Sequence, residues 1–421
     1  MKLETELRYA NNPYFEEYEK LLIDLSRAMA AGDEDAADAI REEMDRPWLE
    51  LSHEEVERLN GLSQDLFMLE GLDRYSEHAR GPSEITLALK EAWEQRELNR
   101  VLGLLREGPT LLVRDRVAYL RSRCYEELGH PLSALEFIRY AVTLEPSADV
   151  YQWMVLELLY RLGRFAEVAQ QARAHLGQGA KGPLAIQAAA VLYLASRDEP
   201  EDNARILVQE AVNALDAILN SQEDMADNSM AAYGFLTLGS CYEWLGNRES
   251  AREAYDRAVK CHPSSDQALV LRGLLRESDD PEGARDDFLA AAKLHTGLLT
   301  PYLVLAREAL KAKQFEECLK WCGEIGHLQI NPRALALVLE FRGIALFELG
   351  RSDNLVHDLF RQALTLDPLN ERIQQNYETV RQAMHTGGRS LPHEEMRIAD
   401  RSDSAVPGRR DIANPVFATA A

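Results

Sequence analysis

Phe235-Leu236-Thr237-Leu238-Gly239-Ser240-Cys241-Tyr242, then a turn at Gly246, then Ala251-Arg252-Glu253-Ala254-Tyr255-Asp256-Arg257-Ala258 and a stop at Pro263: the segment from about Ser229 to Ser264 decides how the chain folds. Phe235, Leu238, Gly239 and Tyr242 recur at i, i+3, i+4 and i+7, which places them in one stripe on a first helix. Gly246 ends that helix, and Ala251 and Ala258 are small enough to let a second, antiparallel helix come close, with Gly239 opposite them. Pro263 stops the second helix. One helix pair is predicted.

The unit recurs. Ala118, Ser122 and Tyr125 precede Gly129, and Ala134, Ile138 and Ala141 precede Pro146; Gly163 then follows Gly129 by 34 residues, with Trp153, Leu156, Leu159 and Leu162 before it and Phe165 and Val168 after. Further copies carry Ala268, Arg272, Ala284, Phe288 and Ala291, then Tyr302, Ala306, Phe315 and Cys318, and then Gly343, Leu346, Gly350, Phe360, Ala363 and Pro368. Residues 83–113 and 183–222 keep the helical period but match the pattern poorly, and are read as divergent copies. This spacing closely resembles the tetratricopeptide signature, over roughly residues 83–385. The resemblance implies an all-α fold, a right-handed α-α superhelix. A stretch from Ala37 to Leu69, with Asp45-Arg46-Pro47-Trp48 and Gly61-Leu62-Ser63, also resembles leader segments of uncharacterised planctomycete repeat proteins.

Flanking parts complete a three-part division. Residues 1–80 read as an acidic helical segment with helices near 14–30, 33–45 and 53–71, the last opened by a capping box of Ser52 and Glu55. Asn370 is placed to cap a final helix whose Ile373, Tyr377, Val380 and Met384 form one apolar stripe, as the end of an open array requires. From 386 to 421 the chain is rich in Gly, Pro, Ser and charge without periodicity, and is expected to be a disordered tail.

Bulk properties narrow the function. The 421 residues carry a net charge of -23, and residues 1–80 alone hold 9 Lys/Arg against 21 Asp/Glu. Nucleic-acid binding is disfavoured, since phosphate contacts need clustered cations, and basic partners are favoured. No run reaches the roughly 18 apolar residues of a membrane helix, and the start lacks the basic and apolar parts of a secretory signal. Five cysteines without a Cys-x-x-Cys pair fit a reducing compartment, so a cytoplasmic location is expected.

No catalytic, cofactor or metal site is read from these residues. His53-Glu54 and His393-Glu394 begin like a zinc-protease motif, but Glu57 and Arg397 stand where the second histidine belongs. Gly177-Gln178-Gly179-Ala180-Lys181-Gly182 has the glycine spacing of a phosphate loop, but Pro183 replaces its lysine, and an inter-repeat turn is the better reading. Cys318 and Cys322, one turn apart, fall at packing positions and read as buried thiols.

In the geometry the resemblance implies, first helices line an inner face whose free positions follow the apolar stripe by one residue. These are Tyr119, Arg123 and Glu126; Trp153, Glu157 and Tyr160; Leu236 and Ser240; and Arg307 and Lys311. They lack the Lys and Asn of the carboxylate clamp that grips chaperone tails. The expected function is a non-catalytic scaffold holding a peptide or helix of a partner protein. The alternative is a peptide-sensing regulator or assembly chaperone with an amino-terminal effector bundle.

Overall fold

The computed structural model describes residues 12–69, 80–220, 229–328, 330–351 and 353–386. Among the described residues every regular element is helical, and no helix is long and apolar enough to cross a membrane. The expected tail lies outside the described residues.

Contacts divide the chain into two units, Met1–Pro200 and Glu201–Ala421. The first opens with α1 (Pro13–Ala31), α2 (Glu34–Trp48) and α3 (His53–Leu69), close to the three spans predicted. It continues as antiparallel pairs: α4 (Pro82–Glu94) with α5 (Leu98–Glu107), α6 (Arg114–Glu127) with α7 (Pro131–Leu144), and α8 (Asp149–Arg161) with α9 (Phe165–Gly177), closed by α10 (Gly182–Ala195). The second unit contains α11 (Glu201–Asn220), which packs on α12 (Ser229–Trp244). Its pairs are α12 with α13 (Arg248–Cys261), α14 (Asp266–Arg276) with α15 (Pro281–Lys293), α16 (Leu299–Lys311) with α17 (Phe315–Glu324), and α18 (Pro332–Glu348) with α19 (Asp353–Leu366); α20 (Glu371–Thr386) packs on α19. Residues 183–222, read above as one divergent copy, are therefore shared between the units: α10 packs on α8 and α9, and α11 opens the next unit. The reason lies in α10, which is buried at every residue from Leu184 to Ala195 and has no polar face to turn outward.

One contact holds each clear pair together. A Cβ built on Gly239 would lie 2.5 Å from Tyr255 Cε1, one on Gly273 3.0 Å from Phe288 Cε1, and one on Gly343 2.8 Å from Phe360 Cε2. Each ring of a second helix sits over a glycine of its mate, and all three rings are fully buried. In α6 the small residue is Ser122, whose Oγ donates to the Ala134 carbonyl at 2.7 Å, so a hydroxyl replaces the void left by glycine. The turn inside six of these pairs repeats too. Its left-handed residue is Gly129, Gly163, Gly246 or Gly350 in four pairs, but Arg96 and Lys313 in two others.

The leader helices are built onto the repeats. Ser52 and Glu55 form the predicted capping box, with Ser52 N donating to Glu55 Oε2 at 2.7 Å and Glu55 N to Ser52 Oγ at 3.3 Å. Two buried carboxylates then reach across. Glu19 accepts from Ser133 Oγ, and from Ser133 N at 3.4 Å. Asp65, with no exposed surface, accepts from Tyr125 Oη at 2.7 Å, Arg106 Nε at 3.0 Å and Arg121 Nε at 3.2 Å. Gly61 leaves room for the Arg106 guanidinium, which lies 2.9 Å from where a Cβ would be. At the other end Asn370 caps α20 through Ile373 N at 3.3 Å. There Glu340, wholly buried in α18, accepts from Arg372 and, at 2.7 Å, from Asn376 Nδ2.

Candidate protein-interaction surface

The ten positions expected to line an inner face differ in depth between the two units. In the first, Tyr119, Trp153 and Tyr160 are half-buried, each offering part of a ring. Tyr119 leans on Tyr151 with ring centres 5.4 Å apart, and Tyr160 meets Phe165 edge-on at 5.7 Å, so both rings are held before any partner arrives. Held aromatic rings are the groups that most often dominate binding energy at a protein interface, because little rotamer freedom remains to be lost.

Charged residues of the same two helices form a lattice. Arg123 Nη1 donates to Glu126 Oε2 at 2.8 Å and its Nη2 lies 3.4 Å from Glu127; Arg161 lies 2.9 Å from Glu126 Oε1 and 2.7 Å from Glu157 Oε1. Glu126 thus ties α6 to α8. Arg161 and Glu127 were not singled out from the sequence, although Arg161 follows Glu157 by four residues, the spacing of a helical ion pair. Glu157 is the strained member of the lattice: it is 2% exposed, its Oε2 has no hydrogen-bond partner among the described residues, and burial together with the neighbouring Glu126 pushes its carboxyl up to about 7.

In the second unit Leu236 and Ser240 are buried on α12, where Ser240 Oγ bonds the Leu236 carbonyl at 3.1 Å and meets Tyr255 Oη at 3.2 Å. Arg307 is 8% exposed and pairs with Glu277, the residue that follows α14, whereas Lys311, one turn on, is exposed. The structure therefore places Tyr119, Arg123 and Glu126 on α6 and Trp153, Glu157 and Tyr160 on α8, and links Arg123, Glu126 and Glu157 through Arg161. It leaves Leu236, Ser240 and Arg307 engaged inside their own unit.

Groups with chemical potential elsewhere are quiet. His53 and Glu57 are exposed and 3.6 Å apart, and Gly177–Gly182 makes the turn into α10. Among the described residues no three metal-binding side chains converge. Cys124, Cys241, Cys318 and Cys322 are buried and Cys261 is half-buried.

The tetratricopeptide repeat family model matches residues 232–263, the segment that forms α12 and α13 with Gly239 under Tyr255. The chain carries a tetratricopeptide repeat. Solved structures similar to it include a monomeric mutant of IFIT1 with m7Gppp-AAAA, at 11% identity over 92% of this chain and 93% of that one, with a TM-score of 0.43. A tetratricopeptide repeat protein from Parabacteroides merdae matches at 14% identity over 64% of this chain and 99% of its own, with a TM-score of 0.37. MamA from Desulfovibrio magneticus matches at 17% identity over 44% and 97%, with a TM-score of 0.34. Scores of this size leave the tetratricopeptide fold to rest on the chain's own geometry. No curated protein matches the sequence.

Proposed function

We propose that the protein is a non-catalytic interaction scaffold that holds a peptide or helical segment of a partner protein on the inner face of α6 and α8. The observation that carries this reading is the trio of half-buried rings, Tyr119, Trp153 and Tyr160, interleaved with Arg123, Glu126, Glu157 and Arg161 on two neighbouring first helices. The rings offer anchors, the lattice offers register, and the acidic chain favours a partner with basic character over nucleic acid. Lys311 stands apart as an exposed cation at the end of α16, able to meet an acidic group of a bound segment. A cytoplasmic setting without metal or cofactor agrees with the five free thiols.

Affinity capture from a lysate of the native host, followed by mass spectrometry, tests the proposal when run in parallel with Trp153→Ala, Tyr160→Ala and Arg307→Ala. Partners recovered by the parent chain should fall about tenfold or more with the two ring variants, the loss typical of an interface anchor, and little with Arg307→Ala. Unchanged recovery with both ring variants removes α6 and α8 as the binding face. The docking of α1 and α3 through Glu19 and Asp65 favours a fixed scaffold over a mobile effector bundle, and small-angle scattering that showed compaction on adding partner peptide would reverse that preference.

A further inference from the structure

The leader docks on the repeats with its charges out of balance. Asp65 supplies one negative charge to two guanidiniums, those of Arg106 and Arg121, while burial and the Asp65 carboxylate keep the Tyr125 phenol neutral, far above its usual range. Arg106 is partly open to solvent, but Arg121 is 5% exposed. A buried cation without its own counter-charge is costly. Arg121 uses Nε on Asp65 and Nη2 on the Leu105 carbonyl, at 3.2 Å each, with Met68 Sδ at 2.9 Å; its Nη1 has no acceptor among the described residues.

Arg121 also forms part of the wall of a cleft of about 240 Å3 between the end of α3, the α5–α6 loop and α6. The rest of that wall is mixed: Met68, Leu69, Pro109, Leu112 and Val117 give it apolar surface, and Thr110, Arg114 and Tyr140 give it polar surface. The volume falls below the ~300–1,000 Å3 of drug-sized ligand sites, so the occupant is small. A wall with apolar patches, the pinned and under-compensated Arg121 and a second guanidinium from Arg114 suits an anionic head on a partly apolar body, since the planar fork of arginine matches a carboxylate. We propose that this cleft binds a small organic carboxylate, its head on Arg121 Nη1 and its apolar part against Leu112 and Val117. The ligand completes the charge balance of the leader interface, and so tightens the hold of α3 on α6.

The test uses the full-length protein with methyl-labelled methionine, because Met68 reports directly from the wall. N-acetyl-leucine, N-acetyl-leucinamide and sodium phosphate are titrated at constant ionic strength. The expected result is a saturable shift of the Met68 methyl with the acid, binding at least tenfold weaker with the neutral amide, and no saturable shift with phosphate. Leu112→Trp, which fills the cleft from a half-buried position, should abolish the response while leaving helix content unchanged; Arg121→Gln should abolish it as well. Equal binding of acid and amide, phosphate binding as well as the acid, no response to any of the three at millimolar concentration, or retained binding in Leu112→Trp would each overturn the proposal. If Arg121→Gln fails to fold, the acid-against-amide comparison still decides.

Discussion

At the scale of single residues, Glu157 gives the protein a pH dependence of calculable sign. In the unfolded chain its carboxyl ionises near 4.5, and in the folded chain near 7. Between those values the folded state holds more protons, so the contribution to stability is greatest below about 4.5 and is lost as pH rises through 7. Glu157→Gln, which keeps the shape without the charge, should raise stability at pH 8 by on the order of 1–3 kcal/mol and flatten the profile between pH 5 and 8, as read by thermal unfolding across that range. A steeper profile in the variant would show that Arg161 already compensates the charge. The thiols make a second test. Burial pushes Cys124 up to about 12 and raises Cys241 strongly, and Cys318 is raised by its neighbour Cys322 and by burial. A thiol reagent at neutral pH should therefore label Cys261 alone in the native state and all five cysteines on unfolding. The buried Cys318 and Cys322 were legible in the sequence from their packing positions; the Glu157 result was not, because Glu157 reads there as one carboxylate among many and its depth depends on what α6 brings beside it.

At the scale of the element, turns and docking carry the predictions. Lys313 sits in the left-handed conformation that glycine adopts at the same turn in four other pairs, with φ 58°. Lys313→Gly should stabilise the α16–α17 pair by roughly 0.5–1 kcal/mol, and Gly163→Ala should destabilise α8–α9 by a similar amount, measured by hydrogen exchange in each pair. Asp65→Asn should cost about 3–5 kcal/mol, because it leaves two guanidiniums facing a neutral amide, and should raise exchange in α1 to α3 before α8 and α9. Exchange that rose evenly through the first unit would mean the leader is not a separable element. Spans, caps and turns were readable because their signals are local: Ser52 with Glu55, Asn370 before α20, glycine after the first helix. The Asp65 node was not readable, since its partners lie 41 to 60 residues away and nothing near Asp65 distinguishes it from other acids of the leader.

At the scale of the molecule, one contact recurs and makes the fold. Gly239 announced it, having a ring sixteen residues on and the family spacing around it. Gly273, 34 residues later, does the same work beneath Phe288, yet the sequence reading of that copy fixed on Arg272 beside it, which instead pairs with Asp256 and Asp287. The rule that free positions follow the stripe by one residue picked out ten side chains but could not give their depth, because depth is set by the neighbouring helix pair. In such an array stability is a sum of pair and neighbour terms, so each register can be tested on its own. The most direct test is a double-mutant cycle at Gly343 and Phe360, free of hydroxyl contacts, read by hydrogen exchange in α18 and α19. Gly343→Ala alone should cost about 1–3 kcal/mol by overpacking, and no more than about 0.5 kcal/mol once Phe360→Leu has withdrawn the ring. Costs that simply add would mean that ring and glycine do not meet, and that some other contact joins the helices.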